Sequence, residues 1–250
     1  MPSTPRVLLD FLGRPERHRY GPHRCHRADL HVPAGQGPFP VVVTIHGGYW
    51  RARYSKLAMK AIAADLARRG VAAWNIEYRR IGRGQEGGWP ATFDDVAAAI
   101  DHLAKVRDPR LDLGAGVAVV GHSAGGQLAL WAASRPDARV AVARVVAQAP
   151  VADLARAGEP AHALLGGTPD QVPERYDAVD PMRRLPLGVQ ALLVHGADDE
   201  TVTVRRSRRY AESARAAGDS VELVEPSPGQ HRVHVDPRSA AWRAAADWLT

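Results

Sequence analysis

A serine between two glycines has the sequence context that most strongly indicates chemistry in this chain. It stands in the run Gly121-His122-Ser123-Ala124-Gly125, after an apolar stretch at Val117 to Val120 and before a helical pattern at Ala124 to Ser134. A G-x-S-x-G segment between a strand and a helix makes a sharp turn that exposes the serine hydroxyl above the sheet. The glycines are needed because a Cβ atom at either position would clash in so tight a turn. We therefore predict that Ser123 is a nucleophile, and the alternative is a glycine-rich turn with a bystander serine.

A second glycine segment, His46-Gly47-Gly48-Tyr49-Trp50, directly follows the β-branched run Val41 to Ile45. Backbone N–H groups of such a loop, together with the N–H of the residue after the nucleophile, can stabilise a developing oxyanion. Glycine lets the backbone approach a substrate oxygen closely. We predict Gly47, Gly48 and Ala124 as oxyanion-hole donors, and His46 as a structural brace for the loop.

A nucleophilic serine needs a general base, and the base needs a carboxylate that orients it. The acid is expected after a later strand, and three neighbouring carboxylates follow the apolar run Ala191 to Val194: Asp198, Asp199 and Glu200. Their spacing alone does not choose among them. The base is expected after the last strand, Val221 to Val224, where His231 is the candidate and His234 the rival.

Four further residues are predicted to line a substrate pocket: Tyr49, Trp50, Trp89 and His122. Trp50 directly follows the oxyanion loop, and simple core packing is its equally weighted alternative. Four histidines cluster near the N-terminus, at His18, His23, His26 and His31. They show none of the usual metal-binding patterns, so we expect neither a metal nor a cofactor.

The elements that must position these residues follow a repeating pattern along the chain. Short apolar runs alternate with longer amphipathic ones, which predicts a mostly parallel sheet of about eight strands with helices on both faces. The run Ala28 to Val32 is expected to form an edge strand. Residues 151–188 are irregular and rich in Pro, Gly and Asp. Since so long a loop is usually functional, we predict a small lid or pocket wall there. We expect a single α/β domain spanning residues 1–250.

Composition places the chain among ordinary globular proteins. It has 250 residues, of which 45% are hydrophobic and 24% charged, so disorder and coiled coil are excluded as its main architecture. Cys25 is the single cysteine, and no intrachain disulfide can form. No apolar run reaches the length of a membrane span. Residues Met1 to Arg19 lack the apolar core of a signal peptide. We therefore expect a cytoplasmic protein without a membrane partner.

The net charge is +6, from 33 basic and 27 acidic residues. Residues 1–31 contribute six arginines against three carboxylates, and residues 203–215 contribute five arginines against one. Neither segment has the interleaved aromatic residues that would stack bases. We therefore expect a small-molecule substrate rather than nucleic acid as the partner. The sequence leaves open whether the protein forms a homodimer and whether the arginine segments bind an anionic partner.

On these motifs the sequence resembles the α/β-hydrolase superfamily, and within it a branch of small carboxylesterases and kynurenine formamidases with an HGG loop. The resemblance covers the chain from Tyr20 to the C-terminal helix. In that branch the acid loop reads H-G-x-x-D-x-x-V, which implies Asp199 as the acid, with Val202 completing the motif. The base stands in a G-x-H turn, which implies His231. Arg232 departs from the pattern, because an apolar residue usually follows the histidine.

The resemblance implies an α/β-hydrolase fold and a serine hydrolase that cleaves small carboxylic esters through Ser123, Asp199 and His231. The alternative enzyme is an arylformamidase that hydrolyses N-formyl aryl amides, which the His-Gly-Gly-Tyr-Trp loop also resembles. An alternative of another class is a non-catalytic α/β-hydrolase that serves as a binding module.

Overall fold

The computed structural model describes residues 14–250. Residues 1–13 lie outside the described residues, so most of the segment in which no signal peptide is expected is among them. The strands are β1 (Glu16–Arg19), β2 (Arg27–His31), β3 (Phe39–Ile45), β4 (Ala72–Ile76), β5 (Leu111–Asp112), β6 (Val117–His122), β7 (Val142–Gln148), β8 (Gln190–Val194) and β9 (Val221–Val224). The α-helices are α1 (Lys60–Arg68), α2 (Ala91–Asp101), α3 (Ala124–Ala133), α4 (Glu159–Leu165), α5 (Pro173–Val179), α6 (Arg205–Ala216) and α7 (Ala240–Leu249). Short 3₁₀ turns stand at Lys56–Met59, His102–Lys105, Pro181–Arg184 and His231–Val235.

The strands form one sheet in the order β1-β2-β4-β3-β6-β7-β8-β9, with β5 paired to the start of β3. The pairs β1–β2 and β2–β4 are antiparallel, and the pairs from β4 onward are parallel. Every residue of β4 and β6 is buried. Strands covered on both faces form nearly continuous apolar runs rather than alternating ones, which is why they stand out in the sequence. The predicted mostly parallel sheet of about eight strands is confirmed.

The predicted edge position of the strand near Ala28 is wrong. This strand, β2, pairs with β4 on one side and with β1 on the other, so β1 takes the edge. The sequence of β1 is Glu-Arg-His-Arg, and its residues are mostly exposed. It therefore lacks the apolar alternation by which a strand is recognised in a sequence.

Helices cover both faces of the sheet, as predicted. On one face α1 and α7 place Leu66 and Trp242 in one apolar cluster with side chains of the sheet. On the other face α2, α3 and α6 contribute to a second cluster, which contains Leu128 and Tyr210. Among residues 14–250, none of the helices combines the length and apolarity needed to cross a bilayer.

The irregular segment 151–188 contains α4, α5 and a 3₁₀ turn, and one buried carboxylate organises it. Asp180 accepts hydrogen bonds from the amides of Leu154 (3.1 Å), Ala155 (3.0 Å) and Met182 (3.2 Å). Gln127 of α3 donates to the carbonyl of Val179 at 3.0 Å. These bonds hold the segment over the start of α3, beside the serine turn.

Candidate active site

Ser123 stands between β6 and α3 in a strained backbone conformation. Its φ of 56° and ψ of −117° lie where non-glycine residues are uncommon. The neighbouring glycines explain how the turn closes. A Cβ on Gly121 would lie 2.0 Å from the carbonyl oxygen of Gly125, and a Cβ on Gly125 would lie 2.2 Å from that of Ile45. The Ser123 amide donates to the carbonyl of Gln148 at 2.8 Å. The surrounding strands therefore fix the position of this serine.

The loop after β3 packs directly against this turn. A Cβ on Gly47 would lie 2.5 Å from the carbonyl oxygen of His122 and 3.0 Å from the Cβ of Ser123. The next three residues all have positive φ: Gly48 at 116°, Tyr49 at 55° and Trp50 at 54°. Within residues 14–250, the amides of Gly47, Gly48 and Ala124 donate no hydrogen bond to another protein group. Their N–H groups are thus free to bind an oxygen of a ligand.

His46 braces this loop from below, in the structural role predicted from the sequence. Its Nε2 lies 2.8 Å from Oε1 of Glu77, and its Nδ1 lies 2.8 Å from the carbonyl oxygen of Gly47. The imidazole stacks on Tyr78 at 4.3 Å, and the Tyr78 hydroxyl donates to the His46 carbonyl at 2.8 Å. Burial raises the pKa of Glu77, but the hydrogen bond from His46 and the charge of Arg80 outweigh it, so that the pKa is lowered overall.

Asp199 and His231 are joined by a short hydrogen bond, 2.6 Å from Oδ2 to Nδ1. The other carboxylate oxygen of Asp199 accepts the amides of Thr201 (2.8 Å) and Val202 (2.9 Å). Burial raises the pKa of Asp199, but hydrogen bonds from His195, His231 and the Val202 amide more than offset it, and the pKa lies well below its usual value. Asp199 is therefore ionised, which places the proton of a neutral His231 on Nδ1 and leaves its Nε2 able to accept another.

Two glycines bring the loops of Asp199 and His231 together. A Cβ on Gly196, in the loop after β8, would lie 2.0 Å from the carbonyl oxygen of Gly229, in the loop after β9. Asp198 strengthens this contact, because its Oδ2 accepts hydrogen bonds from the Gly229 amide (3.0 Å) and the Ser227 hydroxyl (3.3 Å). Of the three carboxylates left open by spacing, Asp198 binds the turn and Asp199 binds His231. The third, Glu200, is exposed.

His234 and His122 support the loops and do not lie in the pocket. His234 is fully buried, and its Nε2 accepts the amide of Gly196 at 3.3 Å. Burial, together with the proximity of His122, lowers its pKa well below the ordinary value. His122 donates from Nε2 to the carbonyl of His231 at 2.9 Å. Burial and the neighbouring His231 lower the pKa of His122 to about 3. Both rings are therefore neutral near pH 7, and no sequence motif signals these contacts.

A cleft with about 420 Å³ of empty space, part of it open to solvent, lies beside the serine. Its walls are formed by Tyr49, Trp50, Ser123, Ala124, Val151, Ala157, Pro160, Thr201, Val202 and Arg206. Two of the four predicted pocket residues, Tyr49 and Trp50, are in this set. The Trp50 side chain is only 1% exposed, so it packs in the core as well as against the pocket. Trp89 and His122 are not in it, and the Trp89 ring packs against Phe93 at 5.8 Å.

Thr201 and Arg206 line the pocket and were not predicted from the sequence. Both come from the chain between β8 and the first turn of α6. The position of Thr201 was detectable in principle, since the loop that holds it also carries the candidate acid. Within the described residues, no group of three or more His, Cys, Asp or Glu side chains could hold a metal ion.

The sheet is mostly parallel, and a strained serine stands between one of its strands and the following helix. An acid and a histidine stand in the loops after two later strands. These features define the α/β-hydrolase fold. The family model described as BD-FAE matches residues 28–213. The chain belongs to this family. No curated protein matches this chain.

Solved structures share the fold over nearly the whole chain. A truncated carbohydrate esterase from gut microbiota is 21% identical, with a TM-score of 0.82 and 96% of each chain covered. An acetyl ester-xyloside bifunctional hydrolase from Caldicellulosiruptor lactoaceticus is 21% identical, with a TM-score of 0.78 over 95% of this chain and 96% of that one. The esterase Est2 from Thermogutta terrifontis is 22% identical, with a TM-score of 0.73 over 94% and 90%.

Proposed function

We propose that the protein is a serine hydrolase that cleaves small carboxylic esters through Ser123, His231 and Asp199. The observation that carries this proposal is the 2.6 Å hydrogen bond between His231 and Asp199, in loops that adjoin the turn of Ser123. A buried carboxylate that orients an imidazole, beside a serine that lines a pocket from a strand–helix turn, is the arrangement of nucleophilic acyl transfer.

The proposed reaction follows from the protonation states of the three side chains. Nε2 of His231 removes the hydroxyl proton while Oγ of Ser123 attacks the ester carbonyl carbon. Asp199, whose pKa is held low by its hydrogen bonds, stabilises the imidazolium that forms. The same proton then passes to the alkoxide leaving group, and an acyl-enzyme remains. Water repeats the sequence on the acyl group, releasing the carboxylic acid and regenerating Ser123.

The negative charge on the tetrahedral intermediate needs donors that are already in place. The unpartnered amides of Gly47, Gly48 and Ala124 are the proposed oxyanion hole, because they surround the turn and make no competing protein hydrogen bond in residues 14–250. One such donor contributes on the order of 10²–10³-fold in rate. The brace of His46 and Glu77 holds the loop in place before substrate binds.

Relatives of the same fold support the choice of an ester as substrate. The structures that match include carbohydrate and acetyl esterases. They also include forms of Thermogutta terrifontis esterase 2 with butyrate bound and phosphonylated by sarin. The pocket of this chain is small and partly apolar, which suits a short acyl chain.

Labelling with a fluorophosphonate probe, combined with hydrolysis of 4-nitrophenyl acetate, butyrate and octanoate, tests the proposal. We expect the wild type to be labelled at Ser123, and Ser123→Ala to lose labelling and at least about 10³-fold in kcat/KM. Ser134→Ala, at the far end of α3, is the matched control and should behave as wild type. Absence of labelling in folded wild-type protein would contradict the proposal and favour a non-catalytic binding module.

One observation favours a second candidate, an arylformamidase. Tyr49 is 40% exposed and lines the pocket next to Ser123, so an aromatic substrate group could stack on it. Comparison of kcat/KM for N-formylkynurenine and for the three 4-nitrophenyl esters separates the candidates. Faster turnover of the formamide than of every ester would replace the first proposal with the second.

A further inference from the structure

Arg206 places a positive charge in the pocket that contains Ser123. It is the second residue of α6 and is partly buried. Its Nη2 donates to the carbonyl of Arg156 at 3.0 Å. In the part of the chain that the structure describes, no carboxylate comes within salt-bridge distance of this guanidinium. A guanidinium offers five N–H donors, so Arg206 retains donors for a ligand.

Three other arginines of this region have carboxylate partners. Arg51 forms an ion pair with Glu159 at 3.1 Å. Arg156 and Arg209 each lie 3.7 Å from the same oxygen of Asp153. The carboxylates near this end of the pocket are therefore already engaged with other cations, and the charge of Arg206 is not neutralised by them.

Helix stability does not account for an arginine at this place. The first turn of α6 contains Arg205 and Arg206 and no acidic residue. Cations are disfavoured at the N-terminal end of a helix, where the helix dipole is positive. The position of Arg206 thus carries a local electrostatic cost, which a bound anion would remove.

We propose that Arg206 binds a carboxylate of the substrate, so that the site prefers esters that carry an anionic group. This inference rests on the proposed ester hydrolysis and specifies its substrate class. The apolar pocket residues Val151, Ala157 and Pro160 pack against the arm that links the ester to the carboxylate. Arg206 pairs with that carboxylate through parallel N–H···O bonds, a geometry that a guanidinium favours.

Two matched substrate pairs test the preference and show on which side of the ester the carboxylate lies. For the alcohol side, 4-acetoxybenzoate is compared with its methyl ester. For the acyl side, the 4-nitrophenyl monoester of adipic acid is compared with 4-nitrophenyl 6-methylheptanoate, in which a branched end replaces the carboxylate. The measured quantity is the ratio of kcat/KM for the anionic substrate to that for the neutral one, after subtraction of the uncatalysed rate.

We expect Arg206→Gln to lower this ratio about tenfold in at least one pair, mainly by raising KM for the anionic substrate. Comparing the same pair in two variants cancels the intrinsic reactivity of the substrates. Arg206→Lys should recover part of the loss. Arg205→Gln is the matched control, because it removes an exposed charge one residue away that does not line the pocket. Its ratio should equal that of the wild type. An unchanged ratio in Arg206→Gln for both pairs would overturn the inference.

A binding measurement separates failure of this inference from failure of the proposed function. Calorimetric titration of Ser123→Ala with 4-acetoxybenzoate and with its methyl ester, and with the 4-nitrophenyl monoester of adipic acid and 4-nitrophenyl 6-methylheptanoate, needs no catalysis. We expect tighter binding of the anionic ligand in one pair, lost in Ser123→Ala/Arg206→Gln and weakened by salt. Equal binding within both pairs, alongside normal hydrolysis of 4-nitrophenyl butyrate, refutes the carboxylate preference and leaves ester hydrolysis standing. Preferential binding without hydrolysis of any ester refutes the proposed function and supports Arg206 as an anion-binding residue.

Discussion

Asp198 and Asp199 are adjacent in sequence and differ in what each carboxylate contacts. Asp199 is buried and accepts four hydrogen-bond contacts, from two backbone amides and from His195 and His231. Asp198 is exposed and accepts the Gly229 amide and the Ser227 hydroxyl. The two residues form a natural matched pair for testing which carboxylate orients the histidine.

We expect Asp199→Asn to lower kcat/KM by on the order of 10³–10⁴-fold, because an amide neither fixes the Nδ1–H tautomer of His231 nor stabilises its imidazolium. Asp198→Asn retains a side-chain oxygen that can accept the same two hydrogen bonds, so we expect it to cost less than about tenfold. Steady-state kinetics with 4-nitrophenyl butyrate measure both effects. Equal losses in the two variants would show that the carboxylates act together on the loop rather than through His231.

At the scale of elements, the site depends on close contact between the loops after β8 and β9. Gly196 and Gly229 pack backbone against backbone, and this contact brings Asp199 within reach of His231. The Gly196 amide also donates a hydrogen bond to Nε2 of His234 in the second loop. The separation of the acid and the base is therefore set by glycine packing as much as by the strands.

Gly196→Ala tests this packing. The added Cβ would lie 2.0 Å from the Gly229 carbonyl oxygen, so one backbone must move, at a cost of about 1–3 kcal/mol in the free energy of unfolding. We expect activity to fall more than tenfold as Asp199 and His231 separate. Gly114→Ala is the control, since its nearest neighbour would be a side-chain oxygen at 3.4 Å. Urea unfolding and kcat/KM measure the two effects, and a Gly196→Ala variant with wild-type kinetics would contradict the argument.

Much of the site could be predicted from the order of elements along the chain. In a parallel sheet the carboxyl ends of the strands meet at one edge, so loops after β3, β6, β8 and β9 had to converge. That reasoning reached Ser123, Gly47 and Gly48 without side-chain coordinates. It left Asp198 and Asp199 unresolved, because their side-chain directions are set only when the two loops pack.

Other features had no signal in a single sequence. The contact of His122 with the carbonyl of His231 spans 109 positions, and a histidine in the serine turn is equally compatible with the pocket. The two-residue strand β5 is too short for any periodic pattern. Arg206 belongs to an arginine-rich helix whose residues look like an ordinary solvated face, and only the three-dimensional position of its neighbours distinguishes it.

At the scale of the whole molecule, folding buries histidines that ionise more readily in the unfolded chain. Burial lowers the pKa of His122 to about 3, and it also lowers that of His234 far below the value of an exposed histidine, about 6.5. The titratable groups that act electrostatically on both rings are Asp199, His195 and His231. His31 and His102 are shifted in the same direction, again mainly by burial. The unfolded chain therefore binds more protons than the folded protein below about pH 6.5.

We predict that acid lowers the free energy of unfolding from about pH 6.5 downward, well before carboxylates are protonated. The stabilisation from neutral His122 and His234 is fully present above the unfolded pKa and is lost as the pH falls toward the folded one. Each histidine contributes a slope of about 1.4 kcal/mol per pH unit. The low pKa of Asp199 adds a further loss only below about pH 4, where its unfolded form takes up a proton.

Urea unfolding followed by circular dichroism, at several pH values from about 7.5 to about 4.5, measures this slope. His234→Gln is the informative variant, because the glutamine oxygen can accept the Gly196 amide while the side chain does not titrate. We expect its slope to be shallower than that of the wild type by about one proton, or about 1.4 kcal/mol per pH unit. If the free energy of unfolding depends on pH equally in His234→Gln and in the wild type, His234 is protonated to the same extent in the folded and the unfolded chain. The acid sensitivity would then arise elsewhere, and His234 would not couple the stability of the two catalytic loops to pH.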